Sequence, residues 1–122
     1  MKILISPAKS LDFDSNIGSL ECTQPVFLNK TSQINSVLKE KSPKDLMQLQ
    51  GISQKLSDLN WKRNNDYVNN HNDKNSRPAV FAFNGDVYNG IDVKTLSEDK
   101  VYDLQKSLRI LSGYYGVLKP LD

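Results

Sequence analysis

Two short apolar runs in the chain are typical of buried β-strands. Residues 2–6 carry Ile-Leu-Ile and stop at Pro7, and residues 79–83 read Ala-Val-Phe-Ala-Phe and stop at Asn84-Gly85. Runs of this length, bounded by proline or Asn-Gly, indicate central strands. The loop after the first run follows the carboxyl end of a predicted strand, which is where open α/β sheets have their functional sites.

Longer stretches repeat apolar residues at helical spacing and predict helices near 26–40, 43–50, 53–63 and 98–111. Pro25 is suited to the start of the first helix. Ser42 and Ser53 are expected N-caps of the second and third, and Gly51 is expected to end the second.

The helix predicted at 98–111 has the strongest pattern, with Ser97 as its expected cap and Leu96 packing on Val101. Gly113 stands where a left-handed C-cap belongs. A strand at 108–111 is the alternative interpretation of the end of this stretch.

These elements predict an α/β fold with a few-stranded sheet, and a mixed α+β arrangement remains open. Two strands make a thin sheet for 122 residues. The chain reaches Leu121-Asp122 without a polar tail or a closing helix. We therefore expect residues 1–122 to form a single, incomplete domain that corresponds to the first half of a longer one.

Composition narrows the function classes. Sixteen basic and 14 acidic residues give a net charge of only +2, so any nucleic-acid surface must be local. One cysteine and one histidine exclude an internal disulfide and a His/Cys metal site, and we expect no tightly bound metal and no cofactor. The N-terminal apolar run is too short for a signal peptide or a membrane span, which predicts a cytoplasmic protein.

The stretch 46–56 fits a helix-hairpin-helix, in which hairpin amides and a helix N-terminus face a DNA phosphate. Ser53 occupies the position where a second glycine is expected after Gly51. Six basic residues against three acidic ones lie in residues 39–63, and Lys55, Lys62 and Arg63 are the expected phosphate contacts. The alternative is a pair of packed helices with a solvated lysine face.

A second set of residues supports the hypothesis of an enzyme whose reaction is unknown. The candidates for an acid/base or nucleophilic site are four residues that follow apolar runs: Lys9, Asp86, Tyr88 and Tyr115. The alternatives are a surface lysine at Lys9, a helix cap at Asp86, and core or interface tyrosines. No phosphate-binding glycine loop, nucleophile elbow or metal signature appears, so catalysis is the weaker hypothesis.

Four blocks of the sequence resemble, in order, the YaaA family of bacterial peroxide-stress proteins. The blocks are Lys2-Ile3-Leu4-Ile5-Ser6-Pro7-Ala8-Lys9-Ser10-Leu11, Ile52-Ser53-Gln54-Lys55-Leu56 with Leu59-Asn60, Phe83-Asn84-Gly85-Asp86-Val87-Tyr88-Asn89-Gly90, and Leu108-Arg109-Ile110-Leu111-Ser112-Gly113-Tyr114-Tyr115-Gly116-Val117-Leu118-Lys119-Pro120-Leu121-Asp122. The first and the last are highly specific.

The resemblance implies a protein that limits free intracellular iron under peroxide stress, with a DNA-binding helix-hairpin-helix and a positively charged cleft. Gly51 and Ser53 would lie in the hairpin, and Lys9 and Lys119 would be cleft contacts. Family members are about twice as long, so the other half is expected outside this chain, with a separate chain as one arrangement. A remnant without independent activity is the alternative. An indirect effect on iron, through DNA, fits these residues better than direct chelation.

Overall fold

The computed structural model describes all 122 residues and has the mixed α/β class predicted from the sequence. The chain separates into two units, one of residues 1–27 and 71–122 and one of residues 28–70. The helices are α1 Leu28–Lys39, α2 Pro43–Gln50, α3 Gln54–Asp66, α4 Ala79–Ala82, α5 Asp86–Ile91 and α6 Glu98–Ser107, with a 3₁₀ turn at Val93–Thr95. The strands are β1 Ile3–Ile5, β2 Ser10–Leu11, β3 Phe83–Asn84, β4 Leu108–Ser112 and β5 Gly116–Leu118.

The unit of residues 1–27 and 71–122 contains a three-stranded sheet in the order β1-β4-β5. Strand β1 runs parallel to β4, with Ile5 opposite Ile110, and β5 runs antiparallel to β4, with Leu118 opposite Ile110. Strands β2 and β3 form a separate antiparallel pair, with Ser10 opposite Asn84.

Two apolar clusters stabilise this unit by burying hydrophobic surface. One lies against the sheet and consists of Ala79, Tyr88, Ile110 and Leu118. The other consists of Val80, Phe81, Val93, Val101 and Leu121. The 79–82 segment therefore contributes to both clusters.

The strand predicted at residues 79–83 is wrong for most of its length. Residues 79–82 form the buried helix α4, and only Phe83–Asn84 are extended. The amide of Ala79 donates to Asp122 O (2.9 Å) and that of Val80 donates to Pro120 O (3.0 Å). A helix leaves its first amides without internal partners, and here carbonyls far along the chain accept two of them. A short apolar run alone does not distinguish a buried strand from such a turn.

The helix predicted at 98–111 is too long, and the alternative strand is confirmed. Helix α6 ends at Ser107 and Leu108 is extended, so Gly113 lies in the β4–β5 turn and caps no helix. The reason is pairing, because β4 has strand partners on both sides and buries alternate residues, Leu108 and Ile110. Ser97 is the N-cap residue of α6 but makes no side-chain cap hydrogen bond. Leu96 and Val101 do share one cluster, as expected.

The other predicted boundaries hold with smaller differences. The first helix begins at Leu28, a turn after Pro25. Strand β1 exists, but it is not buried, since Leu4 is 62% exposed. No helix of the chain is both long and apolar enough to cross a bilayer.

The unit of residues 28–70 consists of α1, α2 and α3, and we call it the helical unit; the unit of residues 1–27 and 71–122 is the sheet unit. Leu46 is fully buried there together with three polar side chains, Thr31, Asn35 and Ser57. Asn35 Nδ2 donates to Asn64 O (2.9 Å), and Ser57 Oγ donates to Gln54 O (2.8 Å). These hydrogen bonds offset the cost of burying polar groups.

Candidate nucleic-acid interface

Helix α2 begins with a capping box. Ser42 Oγ accepts from the amide of Asp45 (3.2 Å), and the Asp45 carboxylate accepts from the amide of Ser42 (2.9 Å). The side chain and then the amide of Ser42 lower the pKa of Asp45 below its usual range. Pro43 occupies the first helical turn, where its missing N–H has no consequence. The helix start is therefore fixed by local sequence.

The turn after α2 is made by Gly51, which adopts the left-handed conformation with φ 60° and ψ 43°. Its amide and that of Ile52 both donate to Met47 O, at 3.2 Å for Ile52. A Cβ built on Gly51 would meet nothing within 4 Å. The glycine is thus required by its φ and not by crowding, and the backbone here is open to an approaching molecule.

Ser53 starts helix α3 as its N-cap. Its Oγ accepts from the amide of Leu56 (3.3 Å), and its carbonyl accepts from the amide of Ser57 (2.9 Å). The amides of Gln54 and Lys55 lie in the first turn, where a helix provides no internal acceptor. No acidic side chain occupies this first turn, where the helix dipole favours negative charge, and the first carboxylate along the helix, Asp58, accepts from Gln54 Nε2 (2.9 Å).

Cationic side chains extend from this turn along α3. Lys55 and Lys62 are exposed and lie seven residues apart on one face of the helix, with the exposed Asp58 between them. Arg63 is half-buried, which lowers its pKa, and its Nη1 donates to Asn60 Oδ1 (3.4 Å). Trp61, directly before Lys62 in the sequence, is 42% exposed. Gly51 and Ser53 thus lie at the exposed connection between α2 and α3, Lys55 lies in the first turn of α3, and Lys62 lies two turns further along the same helix face; we call these four residues the hairpin surface.

The two other expected nucleic-acid contacts belong to the unit that contains the sheet. Lys9 is exposed between β1 and β2. Lys119 follows β5, and its Nζ lies 3.9 Å from the Asp122 carboxylate while its amide donates to Asp122 Oδ2 (2.8 Å). Both stay predictions as nucleic-acid contacts.

The catalytic candidates also lie in the sheet unit. Tyr88 is buried, and its hydroxyl donates to Ser6 O (2.7 Å) while burial raises its pKa to about 12. The hydrogen bond to Ser6 O ties Tyr88 to the loop after β1. Asp86 is exposed in the first turn of α5, where a carboxylate stabilises the helix.

A shallow cleft of about 100 Å³ touches only one of the four candidates. Tyr88 lines it together with Asp12, Asn84 and Lys94. Lys9, Asp86 and Tyr115 are outside its lining, although the Ser10–Asn84 pairing puts Lys9 and Asp86 at the same end of the β2–β3 pair. No group of three or more His, Cys, Asp or Glu side chains in the chain is placed to hold a metal ion.

Tyr115 and His71 form a contact that no sequence pattern indicates. The Tyr115 hydroxyl lies 3.2 Å from His71 Nε2, and the two rings meet edge-on with centroids 5.7 Å apart. Burial lowers the pKa of His71, which favours its neutral form. His71 stands in a polar, asparagine-rich stretch, and no pattern in the sequence indicates this long-range contact.

Comparison with known proteins agrees with the resemblance of the four sequence blocks. The sequence model of a family described as "Peroxide stress protein YaaA" matches residues 1–122. A UPF0246 protein of Flavobacterium psychrophilum is 49% identical over 122 residues, which are 100% of this chain and 48% of that protein. A UPF0246 protein of Flavobacterium johnsoniae is 50% identical over the same 122 residues, again 100% of this chain and 48% of the relative. The chain thus spans about half the length of the curated relatives it matches.

Proposed function

We propose that this chain, which belongs to the YaaA family of peroxide stress proteins, contacts DNA through its hairpin surface. The observation that carries the proposal is the α2–α3 connection. There the left-handed Gly51 leaves the backbone open, and the exposed Lys55 lies in the first turn of α3, whose amides have no acceptor within the helix. We assign this connection the role of a helix-hairpin-helix.

The chemistry of this surface suits a phosphate backbone more than base edges. Helix N-terminal amides bind anionic oxygens, and the lysines of α3 neutralise phosphates and release counterions. Contacts of this kind position a protein on DNA without reading sequence. Trp61 adds an exposed ring next to Lys62, which would stack on an unpaired base in distorted DNA.

Within a peroxide stress response we assign the chain to DNA protection, with a lowered level of free iron as an indirect consequence. Iron limitation is what the family resemblance implies, and the hairpin surface supplies the DNA contact. We place the protein in the cytoplasm, because its single cysteine, Cys22, is an exposed free thiol that suits a reducing compartment.

Binding of the 122-residue chain to fluorescently labelled duplex and bubble DNA, measured at several salt concentrations, tests the proposal. We expect the affinity to fall steeply with salt. Lys55→Glu should weaken binding about tenfold at low salt and reduce the slope of the logarithmic salt plot by about 1, because one phosphate contact is lost.

The matched control is Lys30→Glu, which makes the same charge change on an exposed position of α1 in the same unit. It should retain at least half of the wild-type affinity. Undetectable binding at low salt, or equal losses for the two variants, would contradict the proposal, since a general loss of positive charge would then explain the effect.

A further inference from the structure

The three-stranded sheet has one face that is apolar and uncovered. Side chains alternate between the faces of a sheet, and residues in register share a face. Leu108, Ile110 and Leu118 are buried on one face. On the other face Leu4 is 62% exposed, Leu111 45% and Val117 36%.

The composition of this outer face is unusual for a solvated sheet. An antiparallel sheet with one wet face carries polar residues there, and sheets with parallel strands are normally covered on both faces. Here β1 and β4 are parallel, and the exposed positions are two leucines and a valine. The fourth residue of this face, Arg109, is half-buried. Its Nη1 donates to Gln105 O (3.0 Å) and to Leu108 O (2.6 Å). The face that remains is apolar.

Strand β1 also has a free edge, because β4 is its only neighbour in the sheet. Ile3 lies in register with the buried Leu108, yet it is 44% exposed, so the sheet is less well covered at β1 than at β4. An apolar strand with an open edge readily accepts another strand. The uncovered face and the open edge thus meet at one strand.

We infer that this surface, formed by the β1 edge and by Leu4, Leu111 and Val117, is where the other half of the family domain packs. That half is the polypeptide equivalent to the part of the relatives that this chain does not match. The argument for this occupant is the relatives' length, because the matched residues make up only 48% of the Flavobacterium psychrophilum protein. The occupant adds a strand beside β1 and covers the three side chains with apolar groups. This inference goes beyond DNA contact and does not depend on it.

The test compares this chain with the full-length Flavobacterium psychrophilum relative by hydrogen exchange and by lysine substitution. In the relative, amides aligned with residues 3–5 should exchange at least about a hundredfold more slowly than in this chain, since they are paired and covered there. Lysine at the positions aligned with Leu4 and Leu111 should lower the relative's melting temperature by about 10 °C, because a buried charge is costly. Leu4→Lys and Leu111→Lys in this chain should shift its melting temperature by no more than about 2 °C.

Lysine at Val68, a 51% exposed apolar residue outside the sheet, is the matched control and should be neutral in both proteins. Equal exchange rates in the two proteins would overturn the inference even if a lysine variant of the relative fails to fold. The mass of this chain in solution provides a further readout. A dimer that Leu4→Lys dissociates would show that a second copy occupies the surface, and this would also overturn the inference.

Discussion

At the scale of single residues, three glycines differ in what a side chain would cost. Gly90 lies within α5 with nothing within 4 Å of a built Cβ, Gly51 has φ 60° and open space, and Gly116 has φ 79° with the Phe27 ring 2.9 Å from the built Cβ. We expect alanine at Gly90 to stabilise the fold by about 0.5–1 kcal/mol through helix propensity. Alanine should cost about 1 kcal/mol at Gly51 and about 2 kcal/mol at Gly116, where the Phe27 ring must move as well.

Urea denaturation of the three alanine variants measures these free energies of unfolding. Gly90→Ala is the internal control, since it adds the same methyl group without a positive φ. Equal effects at Gly51 and Gly116 would show that the Phe27 ring gives way freely.

A second residue, Asp12, predicts a loss of stability in acid. Its carboxylate accepts from Ser15 Oγ (2.5 Å), from the amides of Ser15 and Asp14 (both 3.0 Å) and from Lys94 Nζ (3.1 Å). These partners, with the Ser15 hydroxyl contributing most, hold the pKa of Asp12 far below its ordinary value of 3.8. Because the folded state has the lower pKa, the stabilisation is fully present above pH 4 and is lost as the pH falls further.

Asp12→Asn should therefore lower the melting temperature at pH 6 and make it less sensitive to pH between about 4 and 2.5. Asp14→Asn changes an exposed carboxyl two residues away and serves as the control. Melting curves recorded across this pH range decide the matter. An acid dependence of Asp12→Asn that matches the wild type would assign the effect to other carboxyl groups.

At the scale of elements, local sequence signals such as caps and glycines correctly predicted the helix ends that local interactions determine. The start of α2 at Pro43 and the turn at Gly51 follow from capping chemistry within a few residues, and both are confirmed. The two wrong elements depend on distant partners. Residues 79–82 become helical where carbonyls of Pro120 and Asp122 accept their amides, and residues 108–112 become a strand between β1 and β5. No periodicity in a short window contains that information.

In the candidate sites, too, features set by local sequence were predictable and features set by distant contacts were not. The residues of the hairpin surface are close in sequence, and the helix bounds that place them at the connection between α2 and α3 follow from local patterns. The proximity of Tyr115 and His71 depends on the course of the chain between them, and no hydrophobic or polar pattern in the sequence indicates it. The roles of all these residues in DNA contact or catalysis stay predictions.

At the scale of the whole molecule, each unit has its own buried side chains. Leu46 of the helical unit is fully buried, and so is Ile110 of the sheet unit. We expect the helical unit to unfold without requiring the sheet unit to unfold. Leu46→Ala removes buried methyl groups and should cost about 2–5 kcal/mol, which corresponds to at least thirtyfold faster amide exchange throughout α2 and α3.

Hydrogen exchange followed by mass spectrometry gives both readouts from one sample. Amides near Ile110 should keep their wild-type exchange rate in Leu46→Ala, because the residues of that cluster all belong to the unit of residues 1–27 and 71–122. Leu49→Ala removes the same methyl groups from an exposed position of the same helix, 67% accessible, and should change neither unit by more than about threefold. If the amides near Ile110 accelerate as much as those of α2, the two units unfold together, and a substitution anywhere in the helical unit would then weaken the sheet as well.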